Sequence, residues 1–330
     1  GLSLGGGQAN LLRWLLPLTY LVVGSAGDER SIRGSDLDEV VAFDNAVNRL
    51  ASNVGCHDAL PIRVNSSGMF ISKDQRSLHE IAYTAQIDNY TSPNLSQYAK
   101  HIGQESKLVE IAWQRRPWSI CWARRADGSL VGLTYEREQE VVAWHRHPLG
   151  GTAAKALALT SIPGDGQDEV WLVTERTING TTRRHVEVMT YEQPLGQADA
   201  RNFCYLDASL SYDGSPVTSL NGLEHLAGET VKVLADGALH ADVVVQAPGT
   251  IALTRPASVV HVGYGYTSKI VPLPLEYGNP AGSGLGRPKT IFHLTLLLVE
   301  SIGGKVGPRE SLTEDIRIRR VGDQAGSPPA

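Results

Sequence analysis

The sequence predicts an all-β chain, with partial β-propeller-like blades first and a β-barrel or sandwich platform domain after them. Three observations carry this expectation. Pro117–Tyr135 and Val141–His147 read as three consecutive strands, with Asp127-Gly128 between apolar runs as the strongest short-range hairpin signal and Glu136–Glu140 as the second turn. Similar strand–turn–strand patterns recur at Tyr20–Ile32, Met69–Tyr83, Ile120–Tyr135 and Val170–Met189. Anchoring on Val22, Phe70, Cys121 and Leu172 spaces them by about 48, 51 and 51 residues, a propeller-scale period. The 34 glycines and 17 prolines among 330 residues exceed the usual share and suit many short strands joined by tight turns.

Taken in order, the longest apolar stretch, Leu11–Val23, is interrupted by Arg13 and Pro17 and is too short to cross a bilayer; Leu294–Val299 is shorter still, so no membrane span is expected. The hairpin turns fall at Gly24–Arg30, Ser72–Ser77, Ala126–Ser129 and Asn179–Thr182, and Asn179-Gly180 is again a hairpin dipeptide. Helix is expected in two places only. Leu37–Leu50 has a 3.6-residue period through Val40, Val41, Val47 and Leu50 with Asp36 as cap, and Asn94–Ile102 suits a turn or two.

The chain changes character after Tyr191–Pro194, which divides it into a propeller-like region, 1–195, and a β-rich platform, 196–330. The second part reads as short strands at Leu206–Val217, Val243–Val245, Thr250–Leu253, Val259–Tyr266 and Ile291–Val299. They are punctuated by Gly228, Asp236-Gly237 and Pro248-Gly249. Asn279–Arg287 is a Gly-rich loop, and Gln324–Ala330 is expected to be poorly ordered.

A net charge of -5 and a pI near 6.1 exclude a basic nucleic-acid clamp. Cys56, Cys121 and Cys204 are widely spaced, which excludes a disulfide scaffold and a cysteine-rich zinc site and favours a reducing compartment. Residue 1 is glycine and a signal-peptide layout is missing, so the chain reads as a fragment or processed product.

Several constellations could carry chemistry. His145-x-His147 beside Glu138 and Glu140 places two imidazoles on one face of a strand, as a metal site would, but no third ligand has a defined place. Gly282-x-Gly284-x-Gly286 lacks the strand before it and the helix after it that phosphate binding requires. Asp207, Asp213 and Glu224 could supply paired carboxylates for glycoside hydrolysis, though carboxylates beside glycines more often form turns. Trp113, Trp118, Trp122, Trp144 and Trp171 could line a sugar- or base-stacking surface, against a plainer role as packing. With G-x-S-x-G, HExxH and P-loop motifs lacking, neither a catalytic site nor a cofactor is expected.

Leu130–His147, Glu169–Val173 and Arg176–Gly180, followed by Tyr205-Leu206-Asp207 to Tyr212, Gly222–Gly228, Leu234–Gly237 and Val262–Tyr266, together resemble the tail nozzle proteins of short-tailed bacteriophages. These are also called tail tubular protein B or lower tail tube proteins, with DNA-stabilisation proteins among their relatives. The resemblance runs from about Leu12 to Gly307, although relatives have an additional N-terminal portion and continue beyond Pro308. It implies a non-enzymatic virion protein of the tail, assembled in the host cytoplasm. Its expected partners are copies of itself in a closed ring, commonly six-fold, portal-adaptor proteins above, fibre or spike proteins nearby, and genomic DNA passing without specific binding. The competing expectations are a tail-borne carbohydrate-binding adhesin, a propeller-type glycan-active enzyme and an intracellular propeller scaffold.

Overall fold

The structure, a computed structural model, describes residues 10–36, 39, 41, 42, 44–190, 199–273, 288, 290–298 and 303–316. Its contacts divide it into two compact units, Gly1–Thr267 and Ser268–Ala330. The first unit is all-β and opens with four antiparallel meanders in chain order. Sheet I holds β1 (Leu12–Pro17), β2 (Leu21–Ser25), β3 (Glu29–Arg33) and β4 (Val47–Ser52). Sheet II holds β5 (Ile62–Val64), β6 (Ser67–Ile71), β7 (Leu78–Thr84) and β8 (Asn89–Thr91). Sheet III holds β9 (Leu108–Gln114), β10 (Ile120–Arg125), β11 (Leu130–Glu136) and β12 (Val141–His147). Sheet IV has three strands, β13 (Thr152–Pro163), β14 (Asp168–Ile178) and β15 (Thr181–Val188).

Why these sheets stack follows from alternation along their strands. In sheet III, Cys121, Ala123, Val131 and Leu133 pack with Met69, Ile71 and Leu78 of sheet II, whereas Trp122 and Leu130 pack with Ala156, Leu159, Val170 and Leu172 of sheet IV. Neighbouring residues thus serve opposite faces, as a period of two requires. Phe70, between Met69 and Ile71, turns instead to Trp14, Leu16 and Val22 of sheet I. The inner sheets are buried on both faces, so their strands read as nearly continuous apolar runs.

Turn chemistry fixes the registers. Asn179 and Gly180 both adopt positive φ (46° and 74°) between Ile178 and Thr181, the two-residue geometry that matches strand twist. In sheets II and III the third strand runs into a 3₁₀ turn before the fourth, Ala85–Ile87 or Arg137–Gln139, closed by a left-handed residue, Asp88 or Glu140.

The chain then builds sheet V from β16 (Asp207–Leu220), β17 (Thr230–Ala235), β18 (Ala238–Leu239), β19 (Val243–Val244) and β20 (Ile251–Tyr264). Its order is β16-β20-β17-β18, with β19 also on β17. Its apolar cluster is its own, centred on Leu223, Leu226, Ile251, Val260 and Val262. The second unit contains one hairpin, β21 (Lys305–Arg309) with β22 (Leu312–Asp315), among its described residues.

Four expectations change. Leu37–Leu50 is not helical: Val47–Leu50 belong to β4, where Arg33 pairs with Val47 and Ser31 with Arg49, and the other described residues there have no helix. Four apolar residues at helical spacing are a weak preference that pairing with β3 overrides. Thr250–Leu253 and Val259–Tyr266 merge into the single strand β20, bent by register shifts against β16. No closed barrel forms among the described residues. Ile291–Val299, expected as a strand, forms neither ladder nor bridge over its described residues, 291–298. The short helix α1 (Lys100–Glu105) overlaps the turn expected at Asn94–Ile102. The expected boundary at 195/196, the loop Asn279–Arg287 and the tail Gln324–Ala330 lie outside the described residues.

One glycine is held by close approach. A Cβ on Gly103 in α1 would lie 2.0 Å from the Arg76 carbonyl oxygen, which is backbone and cannot swing aside. Gly103→Ala is expected to destabilise the chain by about 1–3 kcal/mol, the usual range for overpacking, read as a lower urea midpoint. An unchanged midpoint would show that α1 shifts freely.

Candidate functional site

The first strands β5, β9 and β13 are the edges of sheets II, III and IV, and they converge. Together with Asp58–Pro61 before β5 they border a groove of about 1130 Å³. Trp113 on β9 and Trp171 on β14 give it aromatic surface, and Val173 and Val186 extend an apolar wall. Trp171 is oriented by its Nε1, which donates to Glu169 Oε2 at 2.9 Å.

The charges in this groove are matched. Asp168 accepts from Arg115 through the amide (2.7 Å), Nε (3.1 Å) and Nη2 (3.1 Å). Burial pushes the Asp168 carboxyl up, but these donors outweigh it and hold it below the usual carboxylate range. Arg124 Nε donates to Glu110 Oε2 at 2.8 Å, and Arg13 stands 3.8 Å from Asp58. Arg63 donates to the Asn65 carbonyl at 3.0 Å. Apolar and aromatic walls with paired guanidinium–carboxylate groups can hold a neutral, polar-edged ligand but present little net field.

Only part of the set singled out in the sequence meets here. Trp113 and Trp171 do. Trp122 is buried between sheets III and IV, Trp144 donates from Nε1 to the Leu95 carbonyl (2.9 Å), and Trp118 is exposed. Those three are spread over the packing and the surface.

His145 and His147 project to the same side of β12, as alternation predicts. Their Nδ1 and Nε2 atoms are 2.6 Å apart, His145 Nε2 is 3.0 Å from Thr134 Oγ1, and the His147 ring meets Trp122 edge-on at 4.5 Å. Burial lowers both imidazoles, His147 to about 4 with His145 adding to the effect. They are neutral partners at neutral pH. Glu138 and Glu140 lie exposed on the adjoining turn, and no group of three metal-ligating side chains occurs among the described residues.

Asp207 and Asp213 stand six residues apart on β16, about 20 Å at strand rise, beyond the separation glycoside hydrolysis uses. Asp207 is instead occupied at home: its Oδ2 accepts the Gly150 amide at 2.5 Å, and burial raises its pKa. Glu224 opens a separate 3₁₀ turn. The Gly282–Gly286 run lies outside the described residues. The three cysteines are free. Cys56 and Cys121 are buried, and burial drives both thiols upward, Cys56 to about 12. His261 lies in the strand facing β16 near Cys204, with its Nδ1 2.7 Å from Ser211 Oγ and its Nε2 2.9 Å from the Arg201 carbonyl. Burial pushes the Cys204 thiol up, but hydrogen bonding to His261 and Ser209 outweighs it and holds the thiol below its usual range, and the same contact raises His261.

No family model matches the chain, and no curated protein sequence matches it.

Sequence reading missed two buried charge clusters. Arg176 sits at an inward position of β14, whose burial alternates strictly from Asp168 to Ile178, and it bonds Glu187, Thr174 and the Gly150 carbonyl. Glu29 on β3 is wholly buried and accepts from Ser52 Oγ. Strand phase was the available signal for Arg176: Val170, Leu172 and Ile178 fix which residues of β14 point inward.

Proposed function

We propose that the chain is a structural subunit of a short-tailed phage nozzle, assembling as a ring around the channel through which the genome is retained and ejected. The observation that carries this reading is the series of four consecutive meanders stacked in chain order, each pair sharing an apolar cluster. In this reading they are successive propeller-type blades, and sheet V with the residues after it belongs to the platform. Two further features agree. Acidic and basic groups are paired in the groove and the chain as a whole is weakly acidic, with a net charge of -5, so a duplex sliding past would find few unpaired cations to stall on. Leu12 and Leu15 on the edge strand β1 are exposed, a surface that neighbouring copies in a ring would cover.

A second reading, a carbohydrate-binding tail adhesin, draws on Trp113 and Trp171 in the groove. One experiment separates them. Labelled antibody against the native protein, imaged on intact particles, is expected to mark the tail axis below the portal, and particles lacking the protein are expected to lose packaged DNA. Label at the periphery, with glycan-array binding that disappears in Trp113→Ala/Trp171→Ala, would replace the nozzle reading by the adhesin.

A further inference from the structure

Cys204 is set apart from the other two cysteines by its surroundings. Cys56 and Cys121 are buried, whereas Cys204 is half-buried just before β16. The 3₁₀ turn Ala200–Asn202 and the residues after it lie against β20, so that one buried imidazole, His261, meets both the Arg201 carbonyl and the Cys204 thiol. His261 stands opposite Ser211 in the β16–β20 ladder. Ser209, inside the register shift between Asp207 and Leu210, brings its Oγ to 3.4 Å from Cys204 Sγ. A thiol, an imidazole and a group that orients the imidazole thus converge on sheet V, well away from the groove.

These are the parts of an activated nucleophile: the nucleophile, a base in contact with it, and a third group that holds the base in place. A carbonyl oxygen can only accept, so His261 Nε2 carries its proton toward Arg201, and the neutral ring keeps its lone pair on Nδ1. Transfer of the thiol proton to that nitrogen gives a thiolate beside an imidazolium. Each ion stabilises the other, which is how the contact lowers Cys204 against burial and raises His261. The other charged neighbours add little. The Arg201 guanidinium is turned to Asp199, at 2.8 Å from Nε, and Tyr266, in electrostatic reach of Cys204, is raised by burial and stays neutral.

We infer that Cys204 is a nucleophilic thiol, with His261 as its base, that forms mixed disulfides with low-molecular-weight disulfides. Sγ gives its proton to His261 Nδ1 and attacks one sulfur of the small disulfide. A bond forms between Cys204 Sγ and that sulfur, the original S–S bond breaks, and the other half leaves as a thiolate with the electron pair and takes up the proton. One disulfide is exchanged for another, so the small disulfide is the only oxidant consumed. This chemistry lies beyond the nozzle reading and is independent of it.

The test incubates the whole native chain with glutathione disulfide and locates the adducts by mass spectrometry after digestion at acid pH. A single glutathione is expected, on Cys204, with Cys56 and Cys121 left as free thiols. Iodoacetamide then reports on the base. Its rate at Cys204 is expected to rise with pH through a midpoint below ~8.5, the value of a free thiol. His261→Gln is expected to move the midpoint up to that value and to slow the reaction at neutral pH by about tenfold. Ser209→Ala is expected to move it in the same direction by less. A histidine that only packs would leave the midpoint where it is. Glutathione reaching Cys204 no faster than the buried thiols, a wild-type midpoint at or above ~8.5, or an unmoved midpoint in His261→Gln would each overturn the inference. Should circular dichroism show that His261→Gln does not fold, the wild-type profile and Ser209→Ala decide the matter.

Discussion

Replacing Arg176 by alanine is expected to lower the unfolding free energy by about 3–5 kcal/mol, the range for removing one partner of a buried ion pair. The guanidinium is fully enclosed, and each of its nitrogens is used: Nε donates to the Gly150 carbonyl (2.7 Å), Nη1 to Thr174 Oγ1 (2.8 Å) and to Glu187 Oε1, and Nη2 to Glu187 Oε2 (3.0 Å). Truncation leaves a largely buried carboxylate without its cation and a buried carbonyl without its donor. Gly150 in turn donates its amide to Asp207 at the start of β16, so the same residue ties sheet IV to sheet V. The melting temperature is expected to fall on the order of 10 °C, with faster amide exchange at the start of β16. Arg176→Lys keeps a charge but loses the fork and is expected to fall between. Arg176→Met/Glu187→Leu removes both charges together and is expected to recover most of the loss. A loss under about 1 kcal/mol in Arg176→Ala would mean that water replaces the guanidinium and that the cluster does not hold the two sheets.

What the sequence made legible was local. Asn179-Gly180 and Asp127-Gly128 mark real hairpins because their backbones need positive φ, at both residues of the first and at Gly128 in the second, which few other residues adopt cheaply. The recurring strand pairs were visible for the same reason. Pairing between distant strands was not. Val47–Leu50 carries helical spacing by coincidence and is a strand only because β3 is there to pair with it. Ile291–Leu298 alternates only from Phe292 to Leu296 and ends in three consecutive leucines, and no ladder receives it among the described residues. The groove was equally hidden, since Arg115 and Asp168 are 53 residues apart in sequence and meet only when the edges of sheets III and IV converge. The tryptophans illustrate the limit: all five sit in strand-rich sequence, and only the fold decides that Trp113 and Trp171 face the groove while Trp122 is enclosed.

The stability of the chain is expected to carry a pH signature from Glu29, and Glu29→Gln should remove it. This carboxyl has no solvent exposure. Its Oε2 accepts from Ser52 Oγ, but its Oε1 has no hydrogen-bond partner among the described residues, and neighbouring Trp14 Nε1 is in the same condition. Burial pushes its pKa to about 7, against the lowering effect of Ser52 and the Gly55 and Val54 amides, with Asp28 adding slightly to the rise. A carboxyl whose folded pKa lies above its unfolded value binds its proton more tightly in the native state. Below pH ~4.5 both states are protonated and nothing is lost. As pH rises from there the unfolded chain gives up the proton while the native state resists, so native stability falls until pH passes about 7 and then levels off. The size of that fall is about 3 kcal/mol. His147 slopes the other way: its lowered pKa means that native stability is lost as pH falls from ~6.5 through about 4. The two partly cancel in the wild-type profile, which is why the variant is needed. Subtracting urea unfolding energies of wild type from those of Glu29→Gln cancels the His147 contribution and isolates Glu29. That difference is expected to be near zero at pH 4 and to grow to about 3 kcal/mol in favour of the variant at pH 8. A difference that stays flat across the range would mean that Glu29 is ionised and compensated in the native sheet, with a donor reaching Oε1 after all.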